Sequence, residues 1–415
     1  MKVLYLHQHF STPAGSTGNR SYAMSQALIR AGHKVTMVCG SYQDGVSGLS
    51  GPFQKGIRQG IVDDIEVIEF ELPYSNYQGL LERAWVFLKF ALRSIRIALL
   101  EHYDLVFATS TPLTAGIPGI FARWLRNKTF VFEVRDLWPE LPKAMGVVTN
   151  PFVLRLLSFL EWISYRSAHA CVGLSPGIVK GIKASAGDDK PVAMIPNGCD
   201  FALFEKMNFN PTRPVGVKKN DLMAIFTGAH GIANGLEAVL DAAYQLKKRG
   251  RTDIKLVFVG DGKLKPTLKE KARENGLDNC FFLDPMPKLE LIKYMQGADV
   301  GLMILSNVPA FYYGTSPNKF FDYLAMGLPV INNYPGWLSD MIKKYSCGYA
   351  VEPDNSEAFA NALEDAADNR DRLKQMGINA KQLGKKRFDR TKLAEQFVQW
   401  LEKTHLMTRK NRHKK

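Results

Sequence analysis

Short apolar runs alternate with amphipathic stretches along nearly the whole chain. The first run is Val3 to Leu6; a glycine-bearing loop, a helical pattern from Tyr22 to Ala31 and a second run from Val35 to Cys39 follow it. A strand, a loop, a helix and another strand in this order predict a βαβ unit with parallel strands. The alternation continues to residue 195, so this part of the chain predicts a Rossmann-like α/β domain.

The pattern breaks once and then restarts. Residues 205–220 lose all periodicity and carry two prolines among polar side chains, as a linker between domains does. Met223 to Phe226 then predicts a strand, a glycine-bearing loop follows, and residues 235–248 predict a helix. At 415 residues the chain is long enough for two domains of roughly 200 residues each.

The predicted fold class is therefore α/β, with two Rossmann-like domains facing each other across a cleft. We place the N-terminal domain at residues 1–205 and the C-terminal domain at residues 221–385. A terminal helix over residues 386–402 is predicted to pack back on the N-terminal domain, and residues 403–415 form a basic tail.

Charge narrows the class of partner. The formal net charge is +14, which favours nucleic acid, an anionic membrane surface or a phosphate-bearing substrate. The tail contains six basic residues and no acidic one, and it is either a solvated, frayed end or a patch that binds anionic lipid. No aromatic-basic nucleic-acid module is visible, so we expect no nucleic-acid partner.

Two predicted helices, Leu80–Leu100 and Phe152–Arg166, combine basic side chains with many apolar and aromatic ones. Such a helix either buries its apolar face in the core or lies in a bilayer interface. No apolar run is long enough to span a bilayer, and the N-terminus lacks a signal-peptide core. The five cysteines show neither paired nor ligand-like spacing, so we expect no zinc site and no disulfide framework. The chain is predicted to be cytoplasmic, either free or peripheral on the inner face of the cytoplasmic membrane.

Ligands of parallel α/β sheets bind where the strands end, so the loops there hold the candidate site residues. The loop over residues 11–20 follows the first strand and opens a helix. Gly15 and Gly18 let a ligand approach the backbone, and Arg20 offers a fork for phosphate or carboxylate. An ordinary strand-to-helix turn is the alternative.

Four charged residues lie within residues 133–140, directly after an apolar strand. Arg135 and Asp136 point to opposite sides of the chain if it stays extended, so that one faces a ligand while the other holds the loop. Both are candidate catalytic residues, and a structural Arg–Asp ion pair is the alternative.

The loop that opens the C-terminal domain combines glycines with a helix start, which together form a cradle for a diphosphate. It contains no Lys or Arg to neutralise phosphate, and its histidine is either a hydrogen-bond donor or merely exposed. The candidate donor-binding residues of this loop are Gly228, Ala229, His230, Gly231 and Asn234.

The segment after residue 315 is the most informative. Ser316 is predicted to cap a helix with Pro317 at its first position, ahead of Asn318. Lys319 then lies in the first turn, where a lysine opposes the helix dipole unless an anion is bound. Asp322, three residues later on the same face, either accepts both hydroxyls of a ribose or pairs with the lysine.

These motifs give the chain a resemblance to a known family over nearly its whole length. The segments that carry it are residues 4–8, 18–22, 32–36, 130–140, 196–200, 260–262, 316–319 and 322–330. Only the RDLWPE stretch from Arg135 and the SPNK stretch from Ser316 are specific by themselves. The chain resembles the retaining glycosyltransferases of the GT-B fold in family 4, particularly bacterial surface-polysaccharide members that transfer N-acetylated amino sugars such as L-fucosamine.

The resemblance implies a nucleotide-sugar donor, most often UDP-linked, in the C-terminal domain and an acceptor bound mainly by the N-terminal domain. The implied acceptor is a polyprenyl-diphosphate-linked saccharide of O-antigen, capsule or exopolysaccharide biosynthesis. No metal or other cofactor is expected, because helix dipoles and basic side chains hold the diphosphate. Retention is implied to follow a front-face route without a protein nucleophile, in which positioning and electrostatic stabilisation carry catalysis.

The chain departs from the family pattern at several positions. The family's two glutamates, spaced E-x7-E, fall at Gly314 and Asp322, and the two basic residues of its diphosphate loop fall at Ala229 and Asn234. The cleft histidine of its N-terminal domain falls at Arg135.

Two interpretations of these departures remain. Either Lys319, together with Arg20, supplies the missing positive charge, or the donor preference is weak or altered. The alternatives to a transferase are a sugar-nucleotide epimerase of the same fold and a catalytically inactive nucleotide-sugar-binding protein. An epimerase needs acid–base carboxylates and histidines in the cleft, and histidines are sparse in this chain.

Overall fold

The computed structural model of the protein describes residues 1–15, 18–42, 45–75, 78–205 and 210–413. Ser16 and Thr17 of the first loop, residues 206–209 of the predicted linker, and Lys414 and Lys415 of the predicted tail lie outside the described residues. Within those ranges, no helix is both long enough and apolar enough to cross a membrane.

The chain divides into two compact units. One comprises residues 1–196, Gly314–Ser316 and the C-terminal segment from Thr391; the other comprises Asn197–Tyr313 and Pro317–Arg390. The division falls after residue 196, earlier than the predicted linker.

Residues 197–205, which the sequence pattern assigns to the N-terminal domain, belong to the second unit. Their attachment explains why: the Cys199 N–H donates to the Phe388 carbonyl at 2.6 Å, and the Arg390 N–H donates to the Cys199 carbonyl at 2.9 Å.

The first unit is built on an eight-stranded sheet. Its strands are β1 (Lys2–Leu6), β2 (Lys34–Tyr42), β3 (Ile57–Val62), β4 (Ile65–Tyr74), β5 (Leu105–Thr109), β6 (Thr129–Val134), β7 (Ala170–Gly173) and β8 (Val192–Met194). Their order is β3-β4-β2-β1-β5-β6-β7-β8, and every pair is parallel except the β3–β4 hairpin. Val3 and Tyr5 pack on one face of the sheet and Leu4 and Leu6 on the other, because side chains alternate along a strand.

The apolar pattern does not predict β3, an edge strand that packs little of its surface. Asp63 and Asp64 join it to β4 with φ angles of 46° and 65°. Positive φ at both residues of a two-residue loop is the geometry of a type I′ hairpin turn, which Asp tolerates better than most residues. The Asp-Asp dipeptide is the available sequence signal.

Helices cover both faces of this sheet. They are α1 (Arg20–Arg30), α2 (Leu80–Leu100), α3 (Gly116–Arg126), α4 (Glu140–Ala144), α5 (Pro151–Ser167) and α6 (Pro176–Ala186). α5 begins where the Asn150 side chain accepts hydrogen bonds from the Phe152 and Val153 N–H groups, with Pro151 in the first turn.

The second unit contains six parallel strands: β9 (Leu222–Thr227), β10 (Ile254–Val259), β11 (Cys280–Leu283), β12 (Val300–Met303), β13 (Val330–Asn332) and β14 (Gly348–Ala350). Their order is β11-β10-β9-β12-β13-β14, the Rossmann order, which reverses direction between β9 and β12. Ligands of such sheets bind at this reversal, outside the carboxyl ends of the strands.

The helices of the second unit follow the same alternation. They are α7 (Phe201–Glu205), α8 (Glu237–Lys248), α9 (Lys265–Glu274), α10 (Lys288–Gly297), α11 (Pro309–Gly314), α12 (Asn318–Met326), α13 (Trp337–Tyr345), α14 (Ser356–Asp368) and α15 (Arg370–Arg387). α15 is absent from the sequence prediction, because its basic and polar composition hides its buried positions.

The C-terminal prediction needs correction. The terminal helix α16 runs over Arg390–His413, so residues 386–402 are not one helix and the described part of the basic tail is not frayed. Thr404, His405 and Thr408 are buried. Further up the helix, Phe397 packs in the same core as β1 of the first unit. The burial of Thr404, His405 and Thr408 continues this packing beyond the expected end at residue 402.

Candidate functional site

Two backbone loops of the second unit approach each other at the carboxyl ends of β9 and β10. Gly228 has a φ of 135° and Gly260 a φ of 144°, and a Cβ atom on Gly260 would lie 2.0 Å from the Gly228 carbonyl oxygen. The His230 N–H donates to the Asp261 carbonyl at 2.8 Å. Only glycine fits such an approach, so the glycine-bearing loop after β9 has a fixed backbone at the place where a ligand is expected.

Lys319 reaches this loop from the first turn of α12. Its ammonium donates to the Asn234 Oδ1 at 2.9 Å and lies 4.0 Å from the centre of the Phe226 ring. Among the described residues, no carboxylate lies within ion-pair distance of it. The structure thus brings Gly228, Asn234 and Lys319 together, with the lysine beside the position where the family pattern has its own basic residue.

Burial lowers the pKa of Lys319 to about 7. A partly desolvated ammonium at a helix N-terminus opposes the helix dipole as well, so both effects disfavour its charged form. An anion bound beside it would reverse both effects. Lys319 therefore has the environment of an anion-binding residue.

The remaining residues of the two C-terminal candidate segments are accessible to different degrees. Ala229 is exposed, Gly231 has open space around its Cβ position, and Pro317 and Asn318 are half-buried. Ser316 is not the N-cap, because α12 begins at Asn318 and the cap position is Pro317. The predicted cap is wrong by one residue, since Pro317 keeps an extended ψ of 131°.

His230 does not fit the expectation of an exposed loop histidine. It is fully buried among Phe226, Phe258 and Phe282, with ring centroids 6.0 to 6.4 Å away. Burial, then the charge of Lys265, lower its pKa to about 4. Neither ring nitrogen has a hydrogen-bond partner among the described residues, so His230 is a neutral ring inside the loop.

Asp322 does not pair with Lys319. It is buried and forms an ion pair with Lys288, the first residue of α10. The Lys288 ammonium also lies 5.5 Å from the centre of the Phe204 ring. The i, i+3 alternative is therefore wrong, and the sequence analysis missed Lys288. A lysine directly after Pro287 at a helix start was the available signal.

A second buried lysine, Lys265, fixes the neighbouring loop. Its ammonium donates to the carbonyls of Gly260 at 2.9 Å and Leu283 at 3.0 Å, and to the Asp284 carboxylate at 2.7 Å. These contacts hold the ends of β10 and β11 together, so we assign Lys265 a structural role.

The first unit places its own charged residues at the carboxyl ends of β1 and β6. Glu133, fully buried in β6, accepts from the Arg20 guanidinium at 2.7 and 3.0 Å and from the Thr109 hydroxyl at 2.8 Å. Arg20 is only 3% exposed, and its other N–H groups donate to the carbonyls of Ile195 and Pro196 at 2.8 and 2.7 Å.

The predicted anion-binding role of Arg20 therefore needs correction. A guanidinium whose donors already meet a carboxylate and two carbonyls is a structural group. The two glycines of the same loop add little to a ligand site: Gly15 is buried in a turn that its N–H closes onto the Thr12 carbonyl at 3.1 Å, and Gly18 is half-buried.

Arg135 and Asp136 do not form the alternative ion pair either. The Arg135 N–H donates to the Ser110 hydroxyl at 2.9 Å, and its guanidinium donates to the His7 Nε2 at 3.2 Å. Asp136 accepts from the Thr111 hydroxyl at 3.3 Å. Burial raises the pKa of Asp136, although Arg135 and Thr111 act in the opposite direction.

His7 is a site residue that the sequence analysis did not select. Because its Nε2 accepts from Arg135, the neutral ring carries its proton on Nδ1, 2.6 Å from the Ser21 hydroxyl. Burial, then the charge of Arg135, hold its pKa well below the usual range. His7, Arg135 and Asp136 thus form a polar group at the carboxyl edge of the first sheet.

Two family models match the chain. Residues 210–383 match the model of Glycosyl transferases group 1, and residues 15–198 match the Glycosyl transferase 4-like domain. The two matches together cover most of the chain. Taken with the fold, they support a glycosyltransferase of the family 4 type.

Named relatives are also glycosyltransferases. The chain is 24% identical over 303 residues to the probable glycosyltransferase WbjE of Pseudomonas aeruginosa, covering 71% of this chain and 74% of the relative. It is 24% identical over 238 residues to the putative teichuronic acid biosynthesis glycosyltransferase TuaH of Bacillus subtilis, covering 56% and 57% of the two chains.

Solved structures confirm the GT-B fold class. Sucrose-phosphate synthase from Thermosynechococcus elongatus has a TM-score of 0.75 at 17% identity, over 97% of this chain and 98% of that one. HepE of Anabaena, solved with UDP and glucose, has a TM-score of 0.66 at 18% identity, over 97% and 100% of the chains.

Proposed function

We propose that this chain is a retaining glycosyltransferase that moves a sugar from a UDP-sugar to a lipid-linked saccharide. The observation that carries the proposal is the contact of Lys319 with Asn234, at a glycine-lined loop on the carboxyl edge of a Rossmann-type sheet. The HepE structures, which contain UDP or UDP-glucose, support the choice of nucleotide.

In this proposal the second unit holds the donor. The diphosphate lies over the Gly228–Gly231 loop and the N-terminus of α12, where Lys319 supplies the positive charge that Ala229 and Asn234 lack. Stabilising the leaving diphosphate in this way is the main electrostatic contribution to transfer. Asp322 accepts the ribose hydroxyls, and its ion pair with Lys288 holds the carboxylate in place. No metal or other cofactor is required, because the lysine and the helix dipole balance the diphosphate charge.

The first unit binds the acceptor. Arg135 and Asp136 orient the acceptor hydroxyl, and His7 fixes the arginine through its neutral Nε2. No protein nucleophile is proposed: the leaving phosphate takes the acceptor proton on the face from which it departs. Positioning then supplies much of the rate acceleration.

A lipid-linked acceptor is proposed because the first unit exposes large apolar side chains on two basic helices. On α2, Leu81 is 86% and Trp85 55% exposed, and on α5 Phe152 is 76% and Phe159 58% exposed. Exposed apolar clusters flanked by basic residues suit an anionic membrane interface. The sugar is proposed to be an N-acetylated amino sugar of a surface polysaccharide, and the protein to be cytoplasmic and peripheral on the inner face of the membrane.

Thermal unfolding against UDP, GDP, ADP, TDP and their sugar conjugates, in matched series with and without EDTA, tests the donor. A ligand that binds only the folded state raises the melting temperature. We expect UDP and one UDP-sugar to do so with EDTA present. Stabilisation that disappears on adding EDTA would contradict the metal-free site, and stabilisation by another nucleotide alone would contradict UDP.

Product analysis then separates the candidate activities. Incubation of the stabilising UDP-sugar with lipid-linked saccharides in liposomes is expected to release UDP and lengthen the saccharide. An isomerised donor without UDP release would identify an epimerase. Binding without any conversion, across the acceptor panel, would identify an inactive binding protein.

A further inference from the structure

The first unit contains a pocket of about 790 Å³ at the amino ends of its strands. Asn127, His169 and Pro191 of its lining stand just before β6, β7 and β8, and α16 forms another wall. His7, Arg135 and Asp136 lie at the carboxyl ends of the same sheet. The pocket is therefore separate from the proposed acceptor site, and its lining includes none of the proposed donor residues.

The lining of this pocket is cationic. Arg123, Lys403 and Arg412 contribute to it, and no Asp or Glu stands among the described residues that line it. In Arg412 the Nε and Nη2 atoms are buried without a hydrogen-bond partner among the described residues. Guanidinium N–H groups that are buried without acceptors carry a desolvation cost, which a bound anion would offset.

The surroundings add positive charge. Burial lowers the pKa of Arg412, and the charges of Arg123 and Arg409 lower it further. Burial likewise lowers the pKa of Lys190, with Arg166 and Arg123 acting in the same direction. These cations repel one another, and the described lining of the pocket has no carboxylate that would compensate their charge. The pocket therefore attracts a ligand with more than one negative charge.

Two neutral donors complete the site. The Nδ1 of His169 accepts from the Phe130 N–H at 3.1 Å, so its ring proton is on Nε2. Burial, with Arg123 and Arg412 as neighbours, lowers its pKa to about 4, so the ring is neutral at physiological pH. The Trp400 Nε1–H is buried without a hydrogen-bond partner among the described residues. Forked guanidinium groups and neutral N–H donors together suit tetrahedral oxyanions.

We propose that this pocket binds a phosphate group, as a phosphate ester or a diphosphate, through Arg123, His169 and Arg412. Its volume leaves room for the group to which the phosphate is attached. The same chemistry is offered by a phospholipid headgroup and by a soluble phosphorylated molecule. In either case the site is an additional anion site and not part of the transfer reaction. The proposal for this pocket therefore does not depend on the proposed function.

The test compares wild type with Arg412→Gln, Arg123→Gln and the control Arg30→Gln. Arg30 is exposed at the end of α1 in the same unit, so its variant removes the same charge without touching the pocket. Folding of each variant is checked by thermal unfolding. One arm titrates inorganic pyrophosphate calorimetrically, with Lys319→Ala introduced into every protein to remove the proposed diphosphate contact of the donor site. The other arm measures cosedimentation with phosphatidylcholine vesicles with and without phosphatidylglycerol.

We expect both pocket variants to weaken anion binding about tenfold or more in at least one arm, and Arg30→Gln to leave it unchanged. Loss confined to the vesicle arm identifies a lipid headgroup, and loss confined to the pyrophosphate arm identifies a soluble phosphate. Three results would overturn the proposal. Binding could be equal in wild type and both pocket variants, it could be weakened as much in Arg30→Gln as in the pocket variants, or it could be absent in both arms. Because every protein in the pyrophosphate arm lacks the Lys319 ammonium, failure here does not bear on the donor site.

Discussion

The carboxyl edges of the two sheets use their basic residues in opposite ways. In the first unit, Arg20 is buried and meets the Glu133 carboxylate at 2.7 Å. In the second unit, the polar and aromatic partners of Lys319 within the described residues are a side-chain amide at 2.9 Å and an aromatic ring at 4.0 Å. From their positions at helix starts, both Arg20 and Lys319 were predicted to bind phosphate. The comparison teaches that the partner of a basic side chain decides its role. A basic group paired with a buried carboxylate supports the fold, whereas one without a counter-ion is available to a ligand.

The largest effect is expected at Arg20. Arg20→Ala leaves the Glu133 carboxylate buried without its cation, which costs about 3 to 5 kcal/mol of unfolding free energy. Urea unfolding measures it, with Arg30→Ala as the exposed control expected to stay within about 0.5 kcal/mol. If Arg20→Ala keeps wild-type stability while nucleotide affinity falls, the contrast between the two edges is broken.

The pH dependence of nucleotide binding sharpens the assignment of Lys319. In the protein without nucleotide, Lys319 has a pKa of about 7. Binding of a diphosphate raises this pKa, so the complex takes up a proton when it forms above pH 7. UDP affinity should fall roughly tenfold as the pH rises from about 7 to about 9. Titration calorimetry across this range checks the slope.

Lys319→Arg provides the control for this profile. A guanidinium stays protonated throughout, so UDP affinity in the variant should be nearly independent of pH. A profile that falls equally in wild type and Lys319→Arg would assign the titration to another group.

A smaller effect is expected from the ribose contact. Asp322→Asn should weaken UDP by roughly fivefold, about one hydrogen bond, and should remove the preference for UDP over 2′-deoxy-UDP. Asp371→Asn, on an exposed position of α15 in the same unit, is the matched control. A preference for the ribonucleotide that survives in Asp322→Asn would show that the carboxylate serves only Lys288.

The smallest effect is expected at Gly314, where a Cβ atom would meet nothing within 4 Å. Gly314→Glu, which restores the family's first glutamate, should change the unfolding free energy by less than about 0.5 kcal/mol. Gly336→Ala is the contrasting variant, because its Cβ would lie 1.7 Å from the Tyr312 carbonyl oxygen. A rise in UDP affinity in Gly314→Glu would mean that the missing carboxylate, and not the lysine, limits donor binding.

The repeating elements were predictable because buried parallel strands are continuous apolar runs. Val3–Leu6 and Met223–Phe226 lie inside β1 and β9. The alternation predicts two Rossmann-like domains, and the resemblance that the motifs carry implies the GT-B class. The edge strand β3 and the polar helix α15 were not predictable, since neither has a clear periodic pattern of apolar residues. The end of α16 was missed because a basic composition conceals buried Thr404 and Thr408.

For the candidate site, the sequence predicts where the key side chains stand in their helices and loops, and it does not predict which residues they pair with. Local rules place Lys319 in the first turn of a helix, as the structure has it. They cannot show that Asp322 pairs with Lys288, 34 positions earlier, or that Arg20 pairs with Glu133, 113 positions later. Such pairs depend on how distant elements pack, and so does the burial of His230 among three phenylalanines.

The most direct test of the donor assignment is the binding of UDP and of uridine to wild type, Lys319→Ala and the exposed-lysine control Lys374→Ala. We predict that Lys319→Ala weakens UDP by roughly 10- to 100-fold, as loss of a charge-assisted contact does, and leaves uridine affinity and thermal stability unchanged or improved. Lys374→Ala should behave as wild type. Equal losses for UDP and uridine in Lys319→Ala, or no loss for either, would contradict a diphosphate held by this lysine.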